Sequence, residues 1–314
     1  MRVFVTGGAG FIGSHIVDRL VSEGHEAIAF DDLSSGKREN VHPKARLVVG
    51  DIRDATAVER VFAEVKPDAV SHQAAQISVS VSTREPERDA QTNVLGSLHV
   101  MRAAANHGVK RLVFASTGGA IYGDVAVGAA DLDTPPAPMS PYACSKFAVE
   151  NYLRWARAEL GLTPTILRYS NVYGPRQDPH GEAGVVAIFS ERVLRGEGVQ
   201  INARKIEGDD GCVRDYVYVD DVARVNTRAL AGEIARPIVN VATGVATTTR
   251  ELLDGIERAA GKSSPRKSGA RRAGDVERSV LAPTMDALGT ITALDAGLER
   301  TVAWFRGRVV ETSG

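Results

Sequence analysis

The chain opens MRVFVTGGAGFIGSHIVDRLVSEGHEAIAFDD (residues 1–32), and the reading of this stretch decides the fold. A short apolar run leads into a glycine-rich turn, an amphipathic segment follows, and a second apolar run ends at Asp31. Gly7, Gly10 and Gly13 fall at the turn in a G-x-x-G-x-x-G spacing, with Phe11 and Ile12 between them. Without a Cβ, glycine lets such a turn be tight, lets its main chain approach a pyrophosphate, and lets the following helix pack closely on the preceding strand. The start of that helix adds free N–H groups and the positive end of a dipole. Glycine triplets also occur in ordinary loops. Here a strand precedes and a helix follows, which is the context that dinucleotide binding requires. Asp31 stands about 20 residues on from the turn, where a carboxylate accepts hydrogen bonds from adenosine ribose hydroxyls. It would repel a 2′-phosphate, so NAD is the expected cofactor.

Working outward, apolar runs at 46–50, 68–72, 110–115 and 163–168 alternate with helix-patterned stretches near 56–65, 87–107 and 141–160. This alternation predicts β-α-β units and an α/β fold, a Rossmann-type doubly wound parallel sheet with ligands at the carboxyl ends of its strands. Candidate residues gather there: Asp51 and Ile52 after the third run, Gln73, Ala74, Ala75 and Gln76 after the fourth, Ser116 and Thr117 after the fifth, and Asn171 after the sixth. Past Tyr173 the pattern loosens into Gly/Pro-rich segments, a helix, a short strand and a further strand at 238–241. The expected organisation is an NAD-binding domain over 1–172, to which the chain returns near 218–243, and a smaller C-terminal α/β substrate-binding lobe over 173–314. The stretch 261–274, rich in Gly, Ser, Arg and Pro, reads as a mobile loop.

Composition narrows the class. A chain of 314 residues, 43% hydrophobic, builds one large interleaved unit more readily than two separate beads. Lys and Arg number 38 against 39 Asp and Glu, a net charge of -1, so neither nucleic acid nor an anionic membrane is an expected partner. The only two cysteines, Cys144 and Cys212, argue against a disulfide framework and a structural zinc site, and no metal is expected. No charged leader precedes the first strand, and no run reaches the roughly 18 apolar residues of a membrane span, so the expected location is cytoplasmic.

Tyr142 and Lys146, in PYACSK (141–146), are four residues apart, which on a helix places both on one face. A phenol titrates at about pH 10, and a fixed neighbouring cation favours its phenolate, so the pair could move a proton near neutrality. Any solvated helix face can carry that spacing. Its weight comes from the company of the dinucleotide turn at the start of the chain.

Taken together, TGGAGFIG, HQAAQ, FASTGGAIYG, PYACSK, LRYSNVYGPR, VRDYVYVDDVA and RRAGDV occur in order over nearly the whole chain. They resemble the extended short-chain dehydrogenase/reductases, most closely their UDP-glucose 4-epimerase branch. The resemblance implies that Tyr142 removes the proton of a sugar hydroxyl while hydride leaves the carbon for the nicotinamide. Lys146 would hold the nicotinamide ribose and lower the Tyr142 pKa. The family's Ser/Thr position falls on Thr117, in a loop one residue longer than the commonest version, so Ser116 competes for the role. Implied NAD contacts are Gly7, Gly10, Phe11, Ile12, Gly13, Asp31, Asp32, Ser35, Gly36, Asp51, Ile52, Gln73 to Gln76, Asn93, Ser116 and Tyr169, besides Tyr142 and Lys146. For a UDP-sugar, Asn171, Arg214 and Arg272 would bind the diphosphate, Asp275 the uridine ribose, and Val186 and Ile201 the base. Arginine forks suit phosphate oxygens.

The implied activity is interconversion of UDP-glucose and UDP-galactose through a transient 4-keto sugar, with no net redox change. Dehydratases of the family carry an Asp-Glu pair after the catalytic Thr, whereas Gly118 and Gly119 stand here. UDP-glucuronate or UDP-N-acetylhexosamine 4-epimerases, the latter suggested by the small Ser279, and a non-catalytic NAD sensor are the alternatives. Helices 87–107 and 141–160 carry Val94, Leu98, Met101, Phe147, Val149, Tyr152 and Trp155, more apolar surface than one sheet face needs. Family members pair these helices in a four-helix bundle, so a homodimer is expected.

Overall fold

Seven strands make the central sheet of the protein, seen in a computed structural model that describes residues 1–180, 184–272 and 275–311. They are β1 (Arg2–Thr6), β2 (Glu26–Asp31), β3 (Arg46–Val49), β4 (Ala69–His72), β5 (Arg111–Thr117), β6 (Thr163–Tyr169) and β7 (Ile238–Val241), in the spatial order β7-β6-β5-β4-β1-β2-β3. The β1–β2, β2–β3, β1–β4 and β4–β5 pairs are parallel. Since the chain runs outward from β1 to β3 and then returns to β4 on the other side of β1, the strand order reverses between β1 and β4. A doubly wound sheet opens its ligand crevice at the carboxyl ends of such a pair.

Local signals account for the helices. Phe11–Ser22 starts at Gly10 without a side-chain cap and buries Ile16, Val17 and Leu20. Ala55–Val65 is capped by Asp54, whose carboxylate accepts from Ala57 N at 3.0 Å, and its Val58, Val61, Phe62 and Val65 recur at helical spacing on the buried face. Phe62 meets Phe4 of β1 at a ring-centroid distance of 4.7 Å. Burying each such ring is worth roughly 1.5–3 kcal/mol. Pro141–Glu159 begins with Ser140 as N-cap, accepting from Ala143 N at 3.2 Å, and with a proline in its first turn. Tyr142 and Lys146 therefore lie in the first two turns of a well-capped helix.

Two compact units are distinguished: Met1–Thr117 with Pro138–Arg168 and Val222–Val239, and Gly118–Ala137 with Tyr169–Asp221 and Asn240–Gly314. The division differs from the expected one chiefly at 118–137, which joins the second unit. A Cβ on Gly118 would lie 2.3 Å from Leu281 Cδ1, and Val125 N and Ala130 N donate to the carbonyls of Arg278 and Val280. In the second unit, helices Val185–Arg195, Thr249–Ala260 and Leu294–Glu311 gather around Val186, Phe189, Leu252, Ile256, Leu298 and Phe305. Small sheets accompany them, among them Arg266–Gly269 paired in parallel with Val199–Asn202. That pairing makes a strand of part of the expected mobile loop 261–274, because its partner is remote in sequence; Ala273 and Gly274 lie outside the described residues. The single helix expected over 87–107 is instead Pro86–Ala90, a π-helical turn Gln91–Leu95, and Gly96–Asn106. Among the described residues no helix is long and apolar enough to cross a membrane.

Candidate active site

At the switch point the β1 and β4 loops touch. Gly7 has φ +66°, and a Cβ there would come within 2.8 Å of Ala74 N. One on Gly13 would come within 2.0 Å of Gly7 O, so both positions exclude a side chain. Thr6 ties the loops together: its Oγ1 accepts from Gln73 N and Ala74 N, each at 3.1 Å, and contacts His72 Nδ1 at 2.6 Å. His72 Nε2 lies 2.8 Å from Ser97 Oγ, which itself donates to Asn93 O. The chain of donors fixes the tautomer. Ser97 accepts from Nε2–H, and Nδ1 accepts from the Thr6 hydroxyl. Burial pushes His72 down to about 3, and the Lys146 charge adds to the effect, so the imidazole is neutral.

Asp31 ends β2 beside the glycine turn. Its Oδ2 accepts from Ala9 N and its Oδ1 from Leu33 N, both at 2.9 Å. Burial raises its carboxyl above the usual range, against the pull of those N–H groups. A Cβ on Gly36 would lie 2.7 Å from Asp31 Oδ1, so Gly36 keeps that carboxylate approachable. Asp32 is turned into the loop, accepting from Ser34 N and Ser34 Oγ, and Ser35 is exposed beside it. Asp51 is engaged by Arg53, whose Nε lies 2.8 Å from Oδ2, and this hydrogen bond holds the Asp51 carboxyl below its ordinary range. Ile52 is buried against Gly96. Asn93 grips the β4 loop from the π turn: its Oδ1 accepts from Gln76 N and its Nδ2 donates to Gln76 O, both at 2.9 Å.

At the end of β5 the sequence left Ser116 and Thr117 open, and the geometry separates them. Ser116 Oγ is buried and donates to Glu150 Oε1 at 2.6 Å. The Thr117 side chain lies near enough to the Tyr142 phenol to act on it, in the lowering direction. Lys146 is buried, donates from Nζ to Ala115 O at 2.9 Å and lies 4.8 Å from the centroid of the Phe114 ring. The ammonium was expected to pull the phenol down. Instead burial dominates: it raises Tyr142 to about 12, with Thr117 opposing, although part of the ring's surface stays open. Lys146 is lowered by its own burial to about 8, with the Asp89 carboxylate opposing. Burial thus favours the protonated phenol.

Sequence reasoning missed three buried groups here: Asp89, His72 and the Glu150–Arg168 pair. Glu150 accepts from Arg168 Nε at 2.9 Å and NH2 at 2.6 Å. Helical spacing carried a signal for two of them, since Glu150 stands four residues after Lys146 and Asp89 four before Asn93.

The second unit holds the residues implied for a nucleotide. Asn171 Nδ2 donates to Asp215 O at 3.2 Å, and Arg214 NH1 donates to Val213 O at 3.0 Å. Arg272 donates from Nε at 2.7 Å and NH2 at 3.1 Å to the Asn202 carboxamide oxygen, in the amide orientation that satisfies both groups. Asp275 N donates to Arg272 O at 3.4 Å. Tyr169 is buried. Val186 and Ile201 are 1% and 5% exposed within the second core, so what they can offer a base is main chain.

A glycine turn at a topological switch point, an acidic strand end, and a hydroxyl, a phenol and an ammonium gathered at β5 define a dinucleotide-dependent enzyme of the short-chain dehydrogenase/reductase kind. The chain belongs to the NAD dependent epimerase/dehydratase family, which it matches over residues 3–242. It is 44% identical over 317 aligned residues to a UDP-glucose 4-epimerase of Mycolicibacterium smegmatis, covering 98% of this chain and 99% of the relative. Among solved structures it is similar to the Thermus thermophilus UDP-glucose 4-epimerase complex with NAD, at 52% identity and TM-score 0.93, with 98% and 99% of the two chains covered. The Thermotoga maritima enzyme with UDP-glucose is 46% identical with TM-score 0.91, at 98% and 100% coverage. NAD, the cofactor of the family, fits what is present: a cradle with no room for a Cβ at Gly7 or Gly13, and a carboxylate rather than a cation at the ribose position.

Proposed function

We propose that this protein interconverts UDP-glucose and UDP-galactose, with Tyr142 as the acid and base. The observation that carries the reading is the Thr117–Tyr142 hydroxyl pair beside the buried Lys146, on a chain close to half identical over its whole length to UDP-glucose 4-epimerases. Bound NAD would supply reversible hydride transfer at the sugar C4. The residues do the rest. Tyr142 Oη takes the proton of the 4-hydroxyl, and Thr117 Oγ1 holds that oxygen against the phenol. When the keto sugar has turned, the same Oη returns the proton, so neither proton nor hydride is gained overall. A base that must serve in both directions works best when its pKa lies near the working pH. The raised phenol of the free protein therefore has to come down on assembly of the site, and the fixed Lys146 charge and the positive nicotinamide act in that direction.

In the second unit we assign Arg214, Arg272 and Asn171 to the diphosphate, Asp275 to the uridine ribose, and the main chain at Val186 and Ile201 to the base. The test is direct: purify the protein, identify NAD released on denaturation, and follow conversion of UDP-galactose to UDP-glucose by product separation. Bound NAD with no turnover of any nucleotide sugar would replace this reading with that of a sensor.

A wider substrate range has one observation in its favour. Ser279 is small and buried, its hydroxyl donating to Gly119 O at 3.2 Å, and a UDP-N-acetylglucosamine 4-epimerase of Methanobrevibacter ruminantium is 33% identical with TM-score 0.87. Ser279→Tyr should then depress activity on UDP-N-acetylglucosamine more than on UDP-glucose. We also assign a homodimer through helices Gly96–Asn106 and Pro141–Glu159, whose half-buried Leu98 and exposed Tyr152 and Trp155 line an apolar groove. Sedimentation of the wild type as a dimer and of Trp155→Glu as a monomer is the expected result. The unpaired Cys144 and Cys212 suit the reducing cytoplasm.

A further inference from the structure

Asp89 has no part in the chemistry assigned above, yet it is a fully buried carboxylate on the short helix Pro86–Ala90, beside that chemistry. Its Oδ1 accepts from Gln76 Nε2 at 3.0 Å and from Asn93 Nδ2 at 2.9 Å. These bonds fix the carboxylate and leave Oδ2 buried with no hydrogen-bond partner. A carboxylate oxygen in that position is costly unless something compensates its charge. Pro86–Ala90 and the π turn after it pack against the helix that carries Tyr142 and Lys146. Lys146 shows the complementary deficit: a buried ammonium has three donors, and its Nζ makes one hydrogen bond, to Ala115 O.

We propose that Asp89 is a positioning residue for the catalytic pair: its unpartnered Oδ2 is the counter-charge that keeps Lys146 an ammonium inside the protein and keeps Tyr142 a phenol until a sugar hydroxyl is in place. The Asp89 charge acts in the raising direction on both groups. Other charges on the elements packed around them are spent elsewhere. Arg84 and Arg88 are exposed and paired with Glu85, and Glu87 and Arg102 are exposed. His99 Nδ1 is bonded to Ile52 O, and Arg111 donates to Leu230 O. Glu150, one turn beyond Lys146, is matched by Arg168. His72 faces Lys146 as a neutral ring. The catalytic meaning of this inference rests on the epimerase reading; the charge coupling rests on the buried cluster alone.

Asp89→Asn separates charge from packing, because the amide oxygen can still accept from Gln76 and Asn93. In protein carrying isotope-labelled lysine, the Lys146 signal is assigned by its loss in Lys146→Arg and titrated by NMR. Its midpoint, about 8 in the wild type, should fall by about one pH unit in Asp89→Asn. The alkaline limb of kcat/KM for UDP-galactose should move down with it. Asp89→Glu, which keeps the charge, should titrate like the wild type. An unchanged Lys146 midpoint in Asp89→Asn, or an equal fall in Asp89→Glu, would overturn the proposal. A fall confined to Asp89→Asn in a protein that converts no nucleotide sugar would uphold the coupling and sink the epimerase reading instead.

Discussion

Replacing Glu150 by Gln is the sharpest test of how the catalytic end of the sheet is held. Glu150 and Arg168 have side chains 0% and 5% exposed and share two hydrogen bonds, at 2.9 Å and 2.6 Å, while Ser116 Oγ adds a third at 2.6 Å. The cluster joins the catalytic helix, β6 and the residue before Thr117. Glutamine keeps an acceptor for Ser116 but removes the charge that Arg168, itself buried, faces in this pair. Breaking such a pair from one side costs about 3–5 kcal/mol, a large share of a typical folding free energy. At about 2 °C per kcal/mol for a chain of this length, Tm should fall by roughly 6–10 °C. A shift of the β5 end by a fraction of an ångström should also cut kcat, by up to about 100-fold. Scanning calorimetry and turnover of UDP-galactose measure the two effects. Replacing both partners, Glu150→Met with Arg168→Met, should recover most of the lost stability, because neither charge then remains. A single variant that melts with the wild type, or a double variant no better than the single, would refute the reasoning.

Tyr142→Phe should lose about 100-fold or more in turnover while retaining NAD, since only the transferable proton is removed; cofactor content by absorbance and kcat check both halves. Asp31→Ala should weaken NAD and narrow its advantage over NADP in a binding titration, because the acceptor for the ribose hydroxyls and the repulsion of a 2′-phosphate vanish together. His72, neutral in the fold and lowered from 6.5 to about 3, binds fewer protons folded than unfolded between those values. Stability must therefore fall as the pH drops through that window, and His72→Gln should flatten that part of the plot of Tm against pH.

Features set by local pattern were legible in the sequence. The glycine turn, Asp31, and the strands up to β7 follow from spacing and alternation, and Tyr142 with Lys146 from helical periodicity. What escaped was set by partners far away in the chain. Nothing local in RKSG (266–269) says strand, because its partner is Val199–Asn202. The electrostatics of Tyr142 were misread for a like reason. The spacing placed a cation one turn away, but burial and the Ala115 carbonyl decide what that cation does. Ser116 and Thr117 were separable only once Glu150, 34 residues on, could be seen to claim the Ser116 hydroxyl. Val186 and Ile201 kept their expected neighbourhood but turned their side chains into the second core.

The π turn Gln91–Leu95 has a consequence for how this enzyme can change. Each residue in a helix advances it by about 100°. The wide turn therefore sets the phase of everything after it: Asp89 before it and Asn93 within it face Gln76, while downstream Val100, Met101 and Ala104 meet the apolar interior. Deleting one residue here would rotate one half against the other and force a choice between interior and polar cluster. Single substitutions can adjust either half, but the length of this segment is locked.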